Sequence, residues 1–257
     1  MRYTINERGL NLTERGEGEQ TLLLLHYFGG SEQTWGPVMD RLAGGFRCLA
    51  LDFTGWGDSD AAGTYTVADM ADDAAGIAAA LGLTHYTLIG HSMGGKAAQA
   101  LAARQPLGLE SLLLVAPSPL SPEPMTAQDR TDLRAAWGSE LAARATLAHI
   151  ARLPLSPEIA ALVIADNLRA SRAAWEAWPD AGSREGLSAL ASEIAVPTHI
   201  LAGELDPVMS LDLLRREVQA HIPGATLTVV PGAGHLLPLE DADSVAGWVR
   251  EVVGRVG

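Results

Sequence analysis

The pentapeptide Gly90-His91-Ser92-Met93-Gly94 constrains this chain more than any other stretch, because of what lies on either side of it. Before it, Tyr86-Thr87-Leu88-Ile89 is rich in residues that suit a buried strand. After Gly95 comes Lys96-Ala97-Ala98-Gln99-Ala100-Leu101-Ala102-Ala103, a strong helix-forming series. A G-x-S-x-G in so tight a strand-to-helix turn strains the serine backbone and leaves no room for side chains at Gly90 and Gly94. It lifts the Ser92 hydroxyl above the carboxyl ends of the strands, at the positive end of a helix. Two other readings fit the same residues. A serine here can simply cap the helix. Residues 90–96 also fit the phosphate-binding pattern G-x-x-x-x-G-K, but Ala97 stands where that pattern needs a magnesium-binding hydroxyl. The turn also follows the fifth strand, not the first.

The rest of the chain decides between cap and nucleophile. Residues 2–6 and 10–14 alternate in polarity around Arg8-Gly9, which predicts an opening hairpin. Residues 21–25 form an apolar run that reads as a strand buried on both faces. A helix is predicted over residues 33–42, with Trp35, Val38, Met39 and Leu42 at helical spacing. Residues 47–51 read as the next strand. Thr66-Val67-Ala68-Asp69 is a capping box opening an Ala-rich helix to about Leu81. Residues 109–116, 198–202 and 227–230 read as later strands, with helices over 211–221 and 244–253. Between them, Pro117, Pro119, Pro122 and Pro124 break the rhythm, and only helical patterns follow to about Leu190. Ser156-Pro157-Glu158 marks one helix start, and Ser171 caps a helix carrying Trp175 and Trp178. The expectation is an α/β chain with one mostly parallel sheet, helices on both faces, and a helical insertion at about residues 117–190.

A chain of 257 residues that is 47% hydrophobic can bury one sizeable core, so a single domain is expected. The net charge of −13 argues against nucleic acid or an anionic membrane as partner. Cys48 is the sole cysteine and lies in an apolar run, which excludes a disulfide framework and reads as a buried structural thiol. The first twenty residues hold no apolar stretch fit for a signal peptide, and no run has transmembrane length. The expectation is a soluble, cytoplasmic protein.

A serine nucleophile needs a base, and the base needs a group that holds its tautomer. In a parallel sheet such groups lie just after strands. Of the seven histidines, His85 precedes a strand, His149 and His221 fall in helical patterns, and His199 lies inside a strand. His26 and His91 follow strands but sit in turns, where a structural role fits better. His235, in Gly232-Ala233-Gly234-His235 after the last strand, is the best base. The run Ala202-Gly203-Glu204-Leu205-Asp206-Pro207 offers two acids, Glu204 and Asp206.

At this point the chain resembles the α/β-hydrolase family. The order Ser92, Asp206, His235 is similar to that family's nucleophile, acid, histidine. Leu201 to Asp206 matches its L-x-G-x-x-D, which implies Asp206 as the acid. Gly234-His235 with Pro238-Leu239-Glu240 matches G-H-x-x-P-x-E, and residues 52–59 resemble D-x-x-G-x-G-x-S, a turn in which Asp52 holds backbone. The resemblance spans nearly the whole chain and makes residues 117–190 a variable cap. It implies an oxyanion hole from the backbone N–H groups of Met93 and, by position, Phe28. The family's loop reads H-G-x there, whereas this chain has His26-Tyr27-Phe28-Gly29. Tyr27 then either enters the pocket or packs against the cap.

The resemblance implies hydrolysis of a small ester or lactone through an acyl-enzyme, with no cofactor and no metal. The expected pocket lining is Tyr27, Phe28, Trp35, Met93, Met125, Trp137, Trp175, Trp178, Val208 and Leu237, which favours a small apolar group. Arg130, Arg134 and Arg169 are candidates to bind one substrate carboxylate. Ser92 speaks against the epoxide hydrolase and haloalkane dehalogenase branches, which use Asp there. Gly90-His91-Ser92 and Leu236 fit carbon–carbon bond hydrolases less well than esterases and enol-lactonases. Thioesterase and perhydrolase activities stay open, as does a small-molecule receptor with a vestigial triad. Monomer and homodimer are equally compatible with the sequence.

Overall fold

The computed structural model describes residues 1–254. Its strands are β1 (Arg2–Ile5), β2 (Arg8–Arg15), β3 (Gln20–Leu25), β4 (Phe46–Leu51), β5 (Tyr86–His91), β6 (Leu109–Val115), β7 (Thr198–Gly203) and β8 (Thr226–Val230). Among the described residues these eight form one sheet in the order β1-β2-β4-β3-β5-β6-β7-β8. The pairings β1–β2 and β2–β4 are antiparallel, and every later one is parallel. The sheet is therefore mostly parallel, as expected. The opening hairpin turns one step earlier than its alternation implied. Asn6 and Glu7 occupy the turn with φ of 48° and 65°, while Arg8 and Gly9 already belong to β2. A two-residue hairpin turn needs positive φ at both positions, and asparagine tolerates it well.

The helices follow as α1 (Gly36–Leu42), α2 (Val67–Ala80), α3 (Met93–Ala102), α4 (Ala127–Ala135) and α5 (Glu140–Ile150). After them come α6 (Pro157–Arg169), α7 (Arg172–Asp180), α8 (Leu211–Leu214), α9 (Leu237–Glu240) and α10 (Ala242–Val253). The period of two along β3 shows how the sheet is covered. Leu22 and Leu24 pack with Val38 and Met39 of α1 and Val245 and Val249 of α10, whereas Leu23 and Leu25 pack with Ala71 and Ala74 of α2 and Ala97 of α3. Both faces are buried, so the strand is apolar throughout, and each leucine taken from water stabilises by about 1.5–3 kcal/mol. The expected capping box is present, with Asp69 N–H donating to Thr66 Oγ1 at 3.1 Å and Thr66 N–H to Asp69 Oδ2 at 2.9 Å.

Two sequence expectations are corrected here. The helix expected from residue 33 opens as a tighter 3₁₀ turn over Glu32–Trp35, and α1 starts only at Gly36, beside Pro37, whose missing N–H suits a first turn. Trp35 and Leu237, both expected in the substrate pocket, lie instead in the core layer between the sheet and α1/α10. Trp35 turns toward the sheet at the start of its helix. Leu237 and Leu236 are successive residues pointing to opposite sides, and it is Leu236 that faces Tyr27.

Helices α4–α7 lie between β6 and β7. Their starts are capped by Thr126, Ser139, Ser156 and Ser171, each accepting from the backbone three residues on. The segment leaves and rejoins the sheet side by side, with Leu187 N–H donating to Leu120 O at 2.7 Å and Glu123 N–H to Ser183 O at 2.8 Å. Lys96 of α3, fully buried, spans both stems by donating to Ser121 O at 3.2 Å and Glu185 O at 2.8 Å. Burial pulls its pKa down to about 8 even though Glu123 and Glu185 pull the other way. Among the described residues no helix is long and apolar enough to cross a membrane.

Candidate active site

Ser92 sits between β5 and α3 with φ 51° and ψ −116°, a strained conformation for a residue with a side chain, costing on the order of 1–3 kcal/mol. The turn tolerates nothing larger than glycine beside it. A Cβ on Gly90 would lie 2.4 Å from Gly94 O, and one on Gly94 would lie 2.5 Å from His26 O. The elbow is tied to its surroundings by Ser92 N–H donating to Val115 O at 3.1 Å and Ser118 N–H to Ser92 O at 3.0 Å. The strain is thus held by β6 and the residues that follow it.

The structure brings Ser92, His235 and Asp206 into one line. Ser92 Oγ and His235 Nε2 are 2.9 Å apart, and His235 Nδ1 and Asp206 Oδ2 are 2.8 Å apart. Asp206 Oδ1 accepts from the N–H groups of Val208 at 2.7 Å and Met209 at 2.9 Å. The carboxylate accepts on one oxygen from backbone and on the other from the ring, so Nδ1 carries the proton and Nε2 is free to accept from Ser92. Burial pushes the Asp206 carboxyl up, but the His235 ring and the backbone donors outweigh it and hold it below its ordinary value. Burial likewise pulls His235 down, yet Asp206, Glu123 and Glu240 leave its pKa raised. Glu204, the other candidate acid, is turned away and accepts from Gly232 N–H at 2.8 Å.

The two other histidines that follow strands have structural partners. His26 Nδ1–H donates to Tyr27 O at 2.7 Å while its Nε2 accepts from Phe53 N–H at 3.3 Å. His91 Nε2–H donates to His235 O at 2.8 Å, and burial pulls its pKa to about 3, so the ring is neutral. His235 N–H donates to Ile150 O, the end of α5. Glu240, noted in sequence only as part of a motif, fixes the same loop. Its carboxylate accepts from the N–H groups of Gly234 (2.9 Å), Leu236 (2.8 Å), Arg152 (2.8 Å) and Leu153 (2.8 Å). Glu240→Ala strands these donors and is expected to destabilise the protein by roughly 2–4 kcal/mol, read as a fall in the urea midpoint. An unchanged midpoint would mean that water replaces the carboxylate without cost.

The loop after β3 lies against the elbow, with Gly94 N–H donating to His26 O at 3.1 Å. Met93 N–H is the first amide of α3, where no intrahelical carbonyl can reach it. Phe28 stacks at 4.5 Å on Trp175 and 5.3 Å from Trp56. Together with Tyr27, Ile150, Val163 and Asn167, Phe28 and Trp175 line a narrow cavity of about 40 Å³. A second, of about 10 Å³, is lined by Trp56, Tyr65, Met93, Ala174 and Trp178. Val208 packs against the cluster of Tyr27, Ile150, Val163 and Leu236. Tyr27 both borders the first cavity and packs against the insertion, and burial raises its hydroxyl pKa.

Three further expectations change. Trp137 is 37% exposed in the turn after α4, with its indole N–H donating to Ala170 O at 2.9 Å and Arg172 5.5 Å above its ring. Gly138, with φ 71°, follows it in the same turn. Met125 is half-buried at the insertion's first stem and lines neither cavity. The arginines are already engaged. Arg130 holds Pro179 O and Ser183 Oγ, Arg134 pairs with Asp180, and Arg169 pairs with Asp166 and Asp58. Among the described residues, no group of three His, Cys, Asp or Glu is placed to hold a metal ion.

With this geometry in place, the comparisons agree with the resemblance. Residues 22–248 match the model of the alpha/beta hydrolase family, and the chain belongs to that family. It is an enzyme of the hydrolase class. A 2-(acetamidomethylene)succinate hydrolase of Mesorhizobium japonicum is 31% identical over 248 residues, covering 91% of this chain and 87% of that protein. A thermophilic esterase of Thermogutta terrifontis superposes with a TM-score of 0.84 at 26% identity, over 100% of this chain and 98% of that one. The enol-lactonase of Burkholderia xenovorans LB400 shares the fold with a TM-score of 0.86 at 23% identity, over 99% and 100% of the two chains.

Proposed function

We propose that the chain hydrolyses a small ester or lactone, with Ser92 as nucleophile, His235 as general base and Asp206 as the group that orients it. The observation that carries this reading is the unbroken run of hydrogen bonds from Ser92 Oγ through His235 to Asp206 at 2.9 and 2.8 Å. His235 Nε2 takes the Ser92 proton as Oγ attacks the carbonyl carbon, and the oxyanion forms against the N–H groups of Met93 and Phe28. His235 then protonates the leaving alkoxide, and water activated by the same ring releases the acyl group. Residues 117–190 act as a cap over this site. The aromatic walls and narrow cavities favour a short apolar group. Arg130, Arg134 and Arg169, the arginines considered for a substrate carboxylate, already hold partners within the protein, so the succinate chemistry in the relative's name is not carried over.

The test is steady turnover of p-nitrophenyl esters from acetate to octanoate by wild type and Ser92→Ala side by side. Turnover lost in the variant supports the reading, and the chain-length optimum sizes the pocket. A stoichiometric burst without turnover would instead mark a binder.

The pH profile is a separate check. His235 must be neutral to accept the Ser92 proton, and its pKa is raised from 6.5 despite burial. The acid limb of kcat/KM is therefore expected to have its midpoint above 6.5, with activity lost as pH falls through it. A midpoint below 6.5 would contradict the dominance of Asp206 over burial.

A further inference from the structure

The loop that would supply the second oxyanion donor is anchored from two sides. On the sheet side His26 O accepts from Gly94 N–H at 3.1 Å and His26 Nδ1–H donates to Tyr27 O at 2.7 Å. Gly30 N–H donates to Tyr27 O at 3.1 Å, closing a turn in which Gly29 has φ 85°. Beyond that turn, two neighbouring residues at the end of α6 take over. Asn167 Nδ2 donates to Gly29 O at 2.7 Å and to Val163 O of its own helix at 3.1 Å. Ser31 Oγ donates to Asp166 Oδ2 at 2.6 Å. Asp166 and Asn167 are buried, and Arg169 braces Asp166 at 2.8 Å while reaching Asp58 at 2.7 Å. The fit is close, since a Cβ on Gly29 would stand 2.9 Å from Asn167 Nδ2.

We infer that Asn167, seconded by Asp166, is a positioning residue through which the insertion sets the Phe28 N–H, so that the oxyanion hole is complete only while α6 is seated. The inference rests on the Ser92 hydrolase reading above. Its physical basis is a relay through two planar peptides: Asn167 holds Gly29 O, the Gly30 N–H of that same peptide donates to Tyr27 O, and the Tyr27 carbonyl shares its peptide with the Phe28 N–H. Asn167 also borders the small cavity beside Phe28 and Trp175.

The experiment compares wild type, Asn167→Asp and Asn167→Ala on p-nitrophenyl acetate and with a trifluoromethyl ketone. That ketone takes Ser92 Oγ at its carbonyl carbon, passes the hydroxyl proton to His235, and leaves an oxyanion in the hole. Asn167→Asp keeps the volume but offers no donor to Gly29 O. The expected result is a kcat lower by about 10–100-fold with KM within about threefold, because a small displacement of a donor costs rate more than binding. Ketone affinity should fall by the same factor as kcat/KM. Should Asn167→Ala fail to fold, Asn167→Asp and Ser31→Ala, which cuts the other anchor, decide the matter. Unchanged kcat and ketone affinity in folded variants overturn the inference. Wild type that neither turns over ester nor binds ketone overturns the hydrolase reading itself.

Discussion

Ser92→Ala is expected to lower kcat for a p-nitrophenyl ester by about 10⁶ while leaving KM nearly unchanged. The substitution removes one oxygen from a buried site and nothing else that holds the fold. Ser92 N–H still reaches Val115 O, and Ser92 O still accepts from Gly95 at 2.8 Å, Lys96 at 3.2 Å and Ser118 at 3.0 Å. Alanine has a Cβ like serine, so the strain at φ 51° persists and is held by the same neighbours. The two backbone donors and the aromatic walls also remain, so substrate binding survives. Residual hydrolysis over water, about 10³–10⁴-fold, reflects those groups acting on a water molecule. A fall of less than about 100-fold would place the esterase chemistry somewhere other than Ser92.

Asp206→Asn is expected to cost about 10⁴ in kcat, with the folded structure intact. Oδ1 accepts from Val208 and Met209 N–H groups, so the amide oxygen of asparagine takes that side and its NH₂ faces His235. A donor facing Nδ1 forces the ring's proton onto Nε2. The ring then has no lone pair for the Ser92 proton, although every atom is in place. The loss of negative charge beside His235 also removes what raises its pKa against burial. The acid limb of the pH profile should therefore move down in the variant. A kcat within about tenfold of wild type would show that Asp206 only supports the loop.

How far the sequence reached depends on whether a feature was local. The elbow, the capping box at Thr66 and the succession of strands along the chain follow from periodicity and turn chemistry within a few residues, and the structure has them where they were expected. Asp52 was read as a backbone holder, and its carboxylate accepts from Glu32 and Asp58 N–H groups at 2.6 and 2.9 Å. The pocket was not local, and there the reading failed by type. Trp35, Trp137 and Leu237 share hydrophobicity with Trp175 and Trp178, but which way each faces depends on how separate elements dock. The arginines failed for the same reason where their partners lie on other elements, as Asp58 does for Arg169 and Asp180 for Arg134, while Asp166 sits one turn before Arg169 on the same helix. Asn167 carried no signal at all. Its meaning arises only from a carbonyl 138 residues away in the chain.

The paired stems of the insertion have a consequence for how such a protein can change. Leu120 and Leu187 are hydrogen-bonded neighbours, so the two ends of the intervening segment are already closed on each other. Exchanging that segment asks the sheet for no new loop closure, because the distance to be spanned is that of one hydrogen bond. Lys96 is the sole side chain of α3 shown reaching into both stems, and it touches only main-chain oxygens, which any sequence supplies. The junction is thus indifferent to what it carries. Substrate preference can drift, or be transplanted, behind a fixed doorway, provided the incoming helix brings its own hand to hold Gly29.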